Sequence, residues 1–265
     1  MLVGSLVTGA ILFASGWAPG ESGGSERGDS SGATVDEDED WGSVRVYEVD
    51  DDGGLSPRAS GLTAEVWEVF TRVAGPETTA ASLVQFRVGD APESDTLAYV
   101  YQDEDDPSLW ILAANLATSE DRTGLIATLV HEYAHILSLS IGEIDPAGEC
   151  EDEVRLWEGC PVSGSVLSEF RAAFWAQYGD ELPGDDQDDI DAFFADHEDD
   201  FVSDYAASTV VEDFAETFMT WVVEDETSGS GAVADKFAFL DGIPWLVEER
   251  ERIRAKFADE LGLAV

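Results

Sequence analysis

Two of the three histidines in this 265-residue chain lie four residues apart, at His131 and His135, and Glu132 directly follows the first. They form an H-E-x-x-H pattern within residues 123–140, whose apolar residues recur with helical periodicity. The spacing places both imidazoles on one helix face, about one turn apart, where they can bind one metal ion together. Glu132 lies beside them and can accept a proton from water that the metal activates. The pattern predicts one Zn²⁺ per chain, with Glu132 as the general base.

The alternative interpretation of this pattern is a core helix that happens to pack two histidines. The residues around the pattern are largely apolar, which predicts that the helix is buried. Unpaired imidazoles are costly in such a place unless something satisfies them, and this cost favours the metal site.

A catalytic zinc needs a third protein ligand and an open position. The third histidine, His197, lies in an acidic stretch, and we expect it to be solvated or to cap a helix. Glu212 is the better candidate, and Glu216 lies four residues further along the same helix face. One carboxylate can bind the ion while the other accepts an N–H from a liganding histidine and fixes its ring; Asp213 could do the same for the second histidine. The alternative is an ordinary exposed acidic face, but the intervening residues are apolar, so the carboxylates need partners.

The sequence has two blocks, the H-E-x-x-H pattern and the later stretch that contains Glu212 and Glu216. Together these blocks resemble the gluzincin metallopeptidases. The stretch from Tyr205 to Phe218, which ends in Glu-Asp-Phe-Ala-Glu-Thr-Phe, is similar to the catalytic domain of anthrax lethal factor and related secreted peptidases. The resemblance covers only these blocks, within residues 110–225. It implies a zincin-like fold, Glu212 as the zinc ligand, and Tyr205 as a phenol that donates to the developing oxyanion. The alternative for Tyr205 is a half-buried aromatic residue that precedes a helix.

The pattern of residues 41–265 predicts one α+β domain. It has a small mixed sheet, the H-E-x-x-H helix and a helical C-terminal part. Strands are predicted at 41–49, 83–89, 97–102 and 109–117, and helices at 61–73, 123–140, 166–179, 208–223 and 244–261. We expect an extended substrate to pair with residues 109–116 as an edge strand.

The charge excludes whole classes of partner. Thirteen Lys and Arg against 58 Asp and Glu give a net charge of −45, which repels nucleic acid and anionic lipid alike. The acids are spread through the chain, and only two residues are lysines. This pattern is typical of a halophilic protein, since at about 1 M salt a Debye length of roughly 3 Å screens the self-repulsion.

The N-terminal segment predicts export. Residues 1–20 carry no charged side chain, and residues 2–13 resemble the apolar region of a secretory signal. No Lys or Arg precedes them, so a membrane tether through residues 2–18 is the alternative, although a spanning helix needs about 20 apolar residues. Residues 21–40 are rich in Gly, Ser and acids, which predicts a disordered linker. We therefore expect an extracellular or cell-surface protein.

Cys150 and Cys160 are ten residues apart. In an exported protein this spacing predicts a disulfide that closes a small loop. Such a link contributes roughly 2.5–3 kcal/mol in the chain-entropy model.

The most specific interpretation is an exported zinc metalloendopeptidase that acts on a peptide or protein substrate. Three alternatives remain: a zinc hydrolase of a non-peptide amide, a non-catalytic binding protein on a zincin fold, and a structural protein whose zinc only holds helices together. The intact Glu132 argues against a pure binding domain, because binding needs no base there. A fourth protein ligand would indicate the structural alternative.

Overall fold

The computed structural model describes residues 32–148, 150, 155–184, 186–224 and 230–263. The signal-like segment, the alternative membrane tether and the first part of the predicted linker lie outside these residues. Among the helices of the described part, none is both long and apolar enough to cross a membrane.

The described part of the chain forms a mixed α+β structure with a small sheet. The strands are β1 (Thr34–Asp38), β2 (Gly42–Val49), β3 (Leu55–Ser56), β4 (Leu83–Gly89), β5 (Ala98–Gln102), β6 (Trp110–Asn115), β7 (Ile144–Asp145) and β8 (Cys160–Pro161). The main sheet has the order β1-β2-β4-β6-β5, with β3 attached to β2. Strands β4 and β6 are parallel and the other pairs are antiparallel, while β7 and β8 form a separate ribbon.

The position of β6 corrects one prediction. Residues 109–116 were expected to be an edge strand, but β6 lies between β4 and β5. All six residues of β6 are buried, as a strand covered on both faces requires. The edge next to the helices is instead β5, in which four of five residues are half-buried.

A second correction concerns the predicted linker. Residues Thr34–Asp38, within the range 21–40, form strand β1 and pair antiparallel with β2, from Thr34 opposite Val46 to Asp38 opposite Gly42. The tight turn between the strands is held by the Asp38 carboxylate, which accepts the backbone N–H of Trp41 at 3.0 Å. Pairing with β2, which an acid-rich composition does not reveal, makes this segment a strand.

The helices in the described part are α1 (Gly61–Ala74), α2 (Pro76–Ser82), α3 (Arg122–Ser138), α4 (Val166–Phe174), α5 (Gln187–His197), α6 (Val210–Val223), α7 (Ala232–Asp241) and α8 (Pro244–Leu261). They enclose the main core against one face of the sheet. The opposite face carries a smaller cluster of Trp41, Val44, Val46 and Ala113. Helix α3 packs against α1, α6 and β5, and it is therefore surrounded by the core.

Candidate metal centre and active site

Helix α3 presents the H-E-x-x-H residues. It begins after Asp121, whose side chain accepts the backbone N–H of Gly124 at 3.1 Å and satisfies an otherwise unpaired amide. Three turns later, His131, Glu132 and His135 are all buried. The sequence places them in a helix through its apolar periodicity, and the packing of α3 against three other elements fixes where they point.

Helix α6 brings the downstream carboxylates to the same place. Its N-cap residue, Thr209, accepts the backbone N–H of Glu212 at 3.1 Å, so Glu212 stands in the first helical turn. A carboxylate in this position also gains from the partial positive charge of the helix N-terminus. Because α6 packs along α3, its first turn faces the two histidines.

Three atoms converge at this contact. His131 Nε2 lies 3.0 Å from His135 Nε2 and 3.1 Å from Glu212 Oε2, and His135 Nε2 lies 3.4 Å from Glu212 Oε2. Tetrahedral zinc with bonds of about 2.0–2.1 Å separates neighbouring ligands by about 3.3–3.4 Å. The three atoms therefore already lie at the spacing of one face of a metal coordination sphere.

The donor set suits a transition metal. Two imidazoles and one carboxylate bind zinc, and the same set also binds other first-row ions such as Fe(II). Within the described residues, no fourth His, Cys, Asp or Glu joins the group formed by His131, His135 and Glu212. The geometry thus provides three protein ligands, the number found in catalytic zinc sites.

Glu216 contacts the far side of the His131 ring. Its Oε1 lies 2.8 Å from Nδ1 of His131, while its Oε2 accepts a hydrogen bond from Ser203 Oγ at 2.7 Å. A carboxylate can only accept here, so Nδ1 carries a proton and Nε2 is the ring nitrogen that faces His135 and Glu212. This is the contact by which a carboxylate orients a metal-binding histidine.

Glu132 is fully buried, and neither of its carboxylate oxygens has a hydrogen-bond partner of normal geometry among the described residues. Burial raises the pKa of this carboxyl, against the opposing effect of His131 and His135. The backbone N–H of Val100, on edge strand β5, also favours the charged form. Leaving a buried polar group unsatisfied costs about 1–3 kcal/mol. Such a cost is typical of a group that acts on something bound in the site.

The protonation states of His131 and Glu212 depend on one another. Burial would lower the pKa of His131, but hydrogen bonds to Glu212 and Glu216 outweigh it and raise this pKa well above its ordinary value. Burial would raise the pKa of Glu212, but the charge of His135 and hydrogen bonds from both histidines outweigh it and lower this pKa. The group therefore holds a proton that a metal ion would replace.

Tyr205 lies over the same group. Its ring centroid is 5.9 Å from that of His131, and it forms a short 3₁₀ turn just before α6. Burial, followed by the charges of Glu212 and Glu132, raises the pKa of its phenol well above the ordinary value. The hydroxyl stays protonated and can donate a hydrogen bond.

Asp213 does not orient a second histidine, which corrects the prediction. Its carboxylate accepts hydrogen bonds from Trp175 Nε1 at 2.7 Å and from Thr217 Oγ1 at 3.1 Å, and it pairs with Lys236 Nζ at 2.6 Å. One residue beyond Glu212 is about 100° further around the helix, which turns Asp213 towards α4 and α7. It joins α6 to α7 through a buried ion pair and to Trp175, at the end of α4, through a hydrogen bond.

The third histidine is remote from the metal group. His197, at the end of α5, lies 3.8 Å from Asp200 Oδ2 and packs against the rings of Tyr178 and Phe193. It does not belong to the set of atoms that could hold a metal ion.

Two residues near the site escaped the sequence analysis. Ser203 bridges Glu216 to the backbone N–H of Ala206, which it accepts at 3.0 Å. Glu158 lies close enough to His135 and Glu212 for their charges to act on its pKa, which burial raises. No pattern marks either residue, because Ser203 lies in a loop and Glu158 lies in the loop between the cysteines. The predicted disulfide between Cys150 and Cys160 is present.

No family model, curated protein or solved structure matches this chain. The resemblance to gluzincins therefore rests on the residues of the two blocks alone.

Proposed function

We propose that the protein is a zinc-dependent metalloendopeptidase of gluzincin type on a zincin-like fold, in which His131, His135 and Glu212 hold the ion. The observation that carries the proposal is Glu132, a fully buried carboxylate whose oxygens have no hydrogen-bond partner of normal geometry among the described residues, beside three converging ligand atoms. A purely structural metal site has no use for such a group.

When bound, zinc supplies Lewis acidity and lowers the pKa of a coordinated water towards neutrality. Glu132 accepts the proton from the attacking water and then gives it to the departing amine. Tyr205 donates a hydrogen bond to the negative charge that develops on the substrate carbonyl oxygen. Glu216 holds the His131 ring in the tautomer whose Nε2 faces the site.

Strand β5 is the surface along which an extended peptide could bind. It is the edge strand beside α3, and the Val100 backbone N–H is directed to the Glu132 side. A peptide that adds to this edge would pass the base at a fixed distance. Strand β5 therefore replaces residues 109–116 as the proposed docking strand.

Replacement of the base tests the proposal. Glu132→Gln should abolish peptide hydrolysis while zinc remains bound at about the wild-type level, because Glu132 is not among the ligand atoms. The exposed Glu169 on α4 supplies a matched control, and Glu169→Gln should hydrolyse at the wild-type rate. Retained turnover in Glu132→Gln would refute its role as the base.

The same residues could hydrolyse a non-peptide amide. Side-by-side assays of a denatured protein and of small amides separate the two substrate classes. We favour peptides because β5 is an edge strand, and its outer side offers backbone groups that a small amide would not need.

Export is part of the proposal. The Cys150–Cys160 disulfide is typical of proteins that mature in an oxidising compartment. Together with the signal-like residues 1–20, it supports an extracellular or cell-surface location.

A further inference from the structure

The loop between the two cysteines ends in a tight turn, and the charges of His135 and Glu212 act on Glu158 at its tip. The backbone N–H of Leu156 donates to the carbonyl of Gly159 at 2.9 Å, and the reverse bond measures 3.3 Å. Trp157 and Glu158 form the tip between these paired residues. The ribbon that carries the turn begins at β7, six residues after the end of α3, the helix that carries His135.

The turn is held firmly at its base. Cys160 is joined to Cys150, and the guanidinium of Arg155 donates to the carbonyls of Gly148 at 2.9 Å and Pro146 at 3.2 Å. Gly159 has a φ of 139°, and a Cβ there would lie 2.4 Å from the carbonyl oxygen of Asp145. Only glycine allows this approach, so the turn packs backbone against backbone on β7.

The two tip residues have unusual surroundings. Trp157 is 80% exposed, the most exposed of the large apolar side chains in the described part of the chain. Glu158 is half-buried, and no basic side chain of the described residues pairs with it. Arg155, the nearest cation in sequence, is occupied by the two carbonyls. The Glu158 carboxylate instead lies close enough to His135 and Glu212 for their charges to act on its pKa, and its own backbone N–H favours its charged form.

We infer that this turn forms one wall of the substrate cleft, where Glu158 selects a Lys or Arg side chain of a peptide substrate and Trp157 contacts the apolar part of the same peptide. The inference rests on the proposed function, because it assigns a substrate class to that site. Glu158 is too far from the ligand atoms to be a fourth ligand, since it does not join their group. A half-buried carboxylate that no basic side chain of the described residues pairs with gains most from a partner that brings its own positive charge.

A direct ion pair between Glu158 and the substrate side chain is what makes this selection effective. The chain carries a net charge of −45, so any cationic peptide is attracted to it at low salt. At about 1 M salt the long-range attraction is screened beyond roughly 3 Å, and only a direct ion pair can still discriminate. Glu158 supplies such a pair beside the reacting groups.

Charge reversal at Glu158 tests the selection through hydrolysis. A pool of random octapeptides is digested by the wild type and by Glu158→Gln and Glu158→Lys, and the products are sequenced. We expect enrichment of Lys and Arg at one position near the cleaved bond in the wild type. The enrichment should fall about tenfold in Glu158→Gln and turn towards Asp and Glu in Glu158→Lys. Glu169→Lys, on the exposed surface of α4, should behave as the wild type.

A binding measurement keeps the test independent of turnover. Calorimetry measures how tightly Glu132→Gln binds two peptides that differ at one position, which is Lys in one and norleucine in the other. This position is the enriched one or, if no peptide is cleaved, the centre of the peptide. Adding Glu158→Gln should weaken the lysine peptide about tenfold and leave the norleucine peptide unchanged. Trp157→Ala should weaken both peptides, whereas Trp157→Phe should restore most of the affinity.

The outcomes separate the two proposals. Cleavage with the same preferences in all Glu158 variants would overturn the inference and leave the peptidase proposal standing. Discrimination of lysine by Glu132→Gln without hydrolysis by the wild type would support the inference and refute the peptidase. Equal binding of both peptides in the presence and absence of the Glu158 carboxylate would overturn the inference in either case.

Discussion

The Nδ1 atom of His131 lies 2.8 Å from Oε1 of Glu216, on the side of the ring opposite the nitrogen that faces His135 and Glu212. One helix, α6, therefore supplies both Glu212, which could hold a metal ion, and Glu216, which orients His131 on the neighbouring helix. The four-residue spacing of Glu212 and Glu216 makes this possible, since it places both carboxylates on one face of α6, about one turn apart.

This arrangement predicts unequal effects of the two carboxylates on metal affinity. Glu212→Ala should remove most of the zinc binding, because a ligand is lost. Glu216→Ala should weaken it by roughly 10–100-fold, because only the ring orientation is lost. Competition with a chromogenic chelator measures both. Loss of the metal in Glu216→Ala alone would mean that the two roles are reversed.

The metal-free protein should lose stability as the pH rises. The raised pKa of His131 means that the folded state holds its proton more tightly than the unfolded state does. The resulting stabilisation is complete below the ordinary histidine pKa of about 6.5 and is lost as the pH rises through the raised value. Chelated protein should therefore melt at a lower temperature at about pH 9 than at about pH 6, and Glu216→Gln should reduce the difference. A flat profile in the chelated wild type would contradict the coupling.

The buried ion pair between Lys236 and Asp213 should matter more than any surface charge. Lys236→Met leaves Asp213 buried without its cation, which costs about 3–5 kcal/mol. Lys256→Met, the exposed counterpart, should change the free energy of unfolding by less than about 0.5 kcal/mol. Denaturant unfolding in high salt measures both.

A double variant shows whether the loss of stability in Lys236→Met comes from the broken ion pair or from general misfolding. Asp213→Leu combined with Lys236→Met removes both charges and should recover much of the loss, since an apolar pair replaces the ion pair. A loss below about 1 kcal/mol in Lys236→Met would show that Asp213 is satisfied by Trp175 and Thr217 alone.

Salt should stabilise the folded chain. A net charge of −45 repels itself, and screening lowers this repulsion. The melting temperature should be clearly higher in about 3 M than in about 0.1 M salt. Equal stability in both would rule out the halophilic interpretation.

The helices and strands with clear hydrophobic periodicity could be predicted from the sequence. The strand at residues 83–89 is β4, and the helix at residues 123–140 is α3 with shorter ends. The N-cap of α3 is Asp121. The common helix face of His131 and His135 follows from their four-residue spacing, whereas the approach of Glu212 depends on the packing of α6 against α3.

Contacts between segments that are far apart in the sequence could not be predicted from local pattern. The interior place of β6 depends on β5 folding back outside it, and β1 is a strand only because β2 pairs with it. Lys236, the partner of Asp213, lies in α7, a helix that the periodicity did not single out. Glu158 lies near the site, in a turn whose position depends on the disulfide and on the ribbon of β7 and β8.

The most direct test of the account is the metal content of purified protein kept in high salt, measured by elemental mass spectrometry. The account predicts about one zinc per chain, lost on chelation and restored by added zinc, and much less in His131→Ala or Glu212→Ala. A chain that holds no zinc even after reconstitution, or that holds iron in its place, would contradict it.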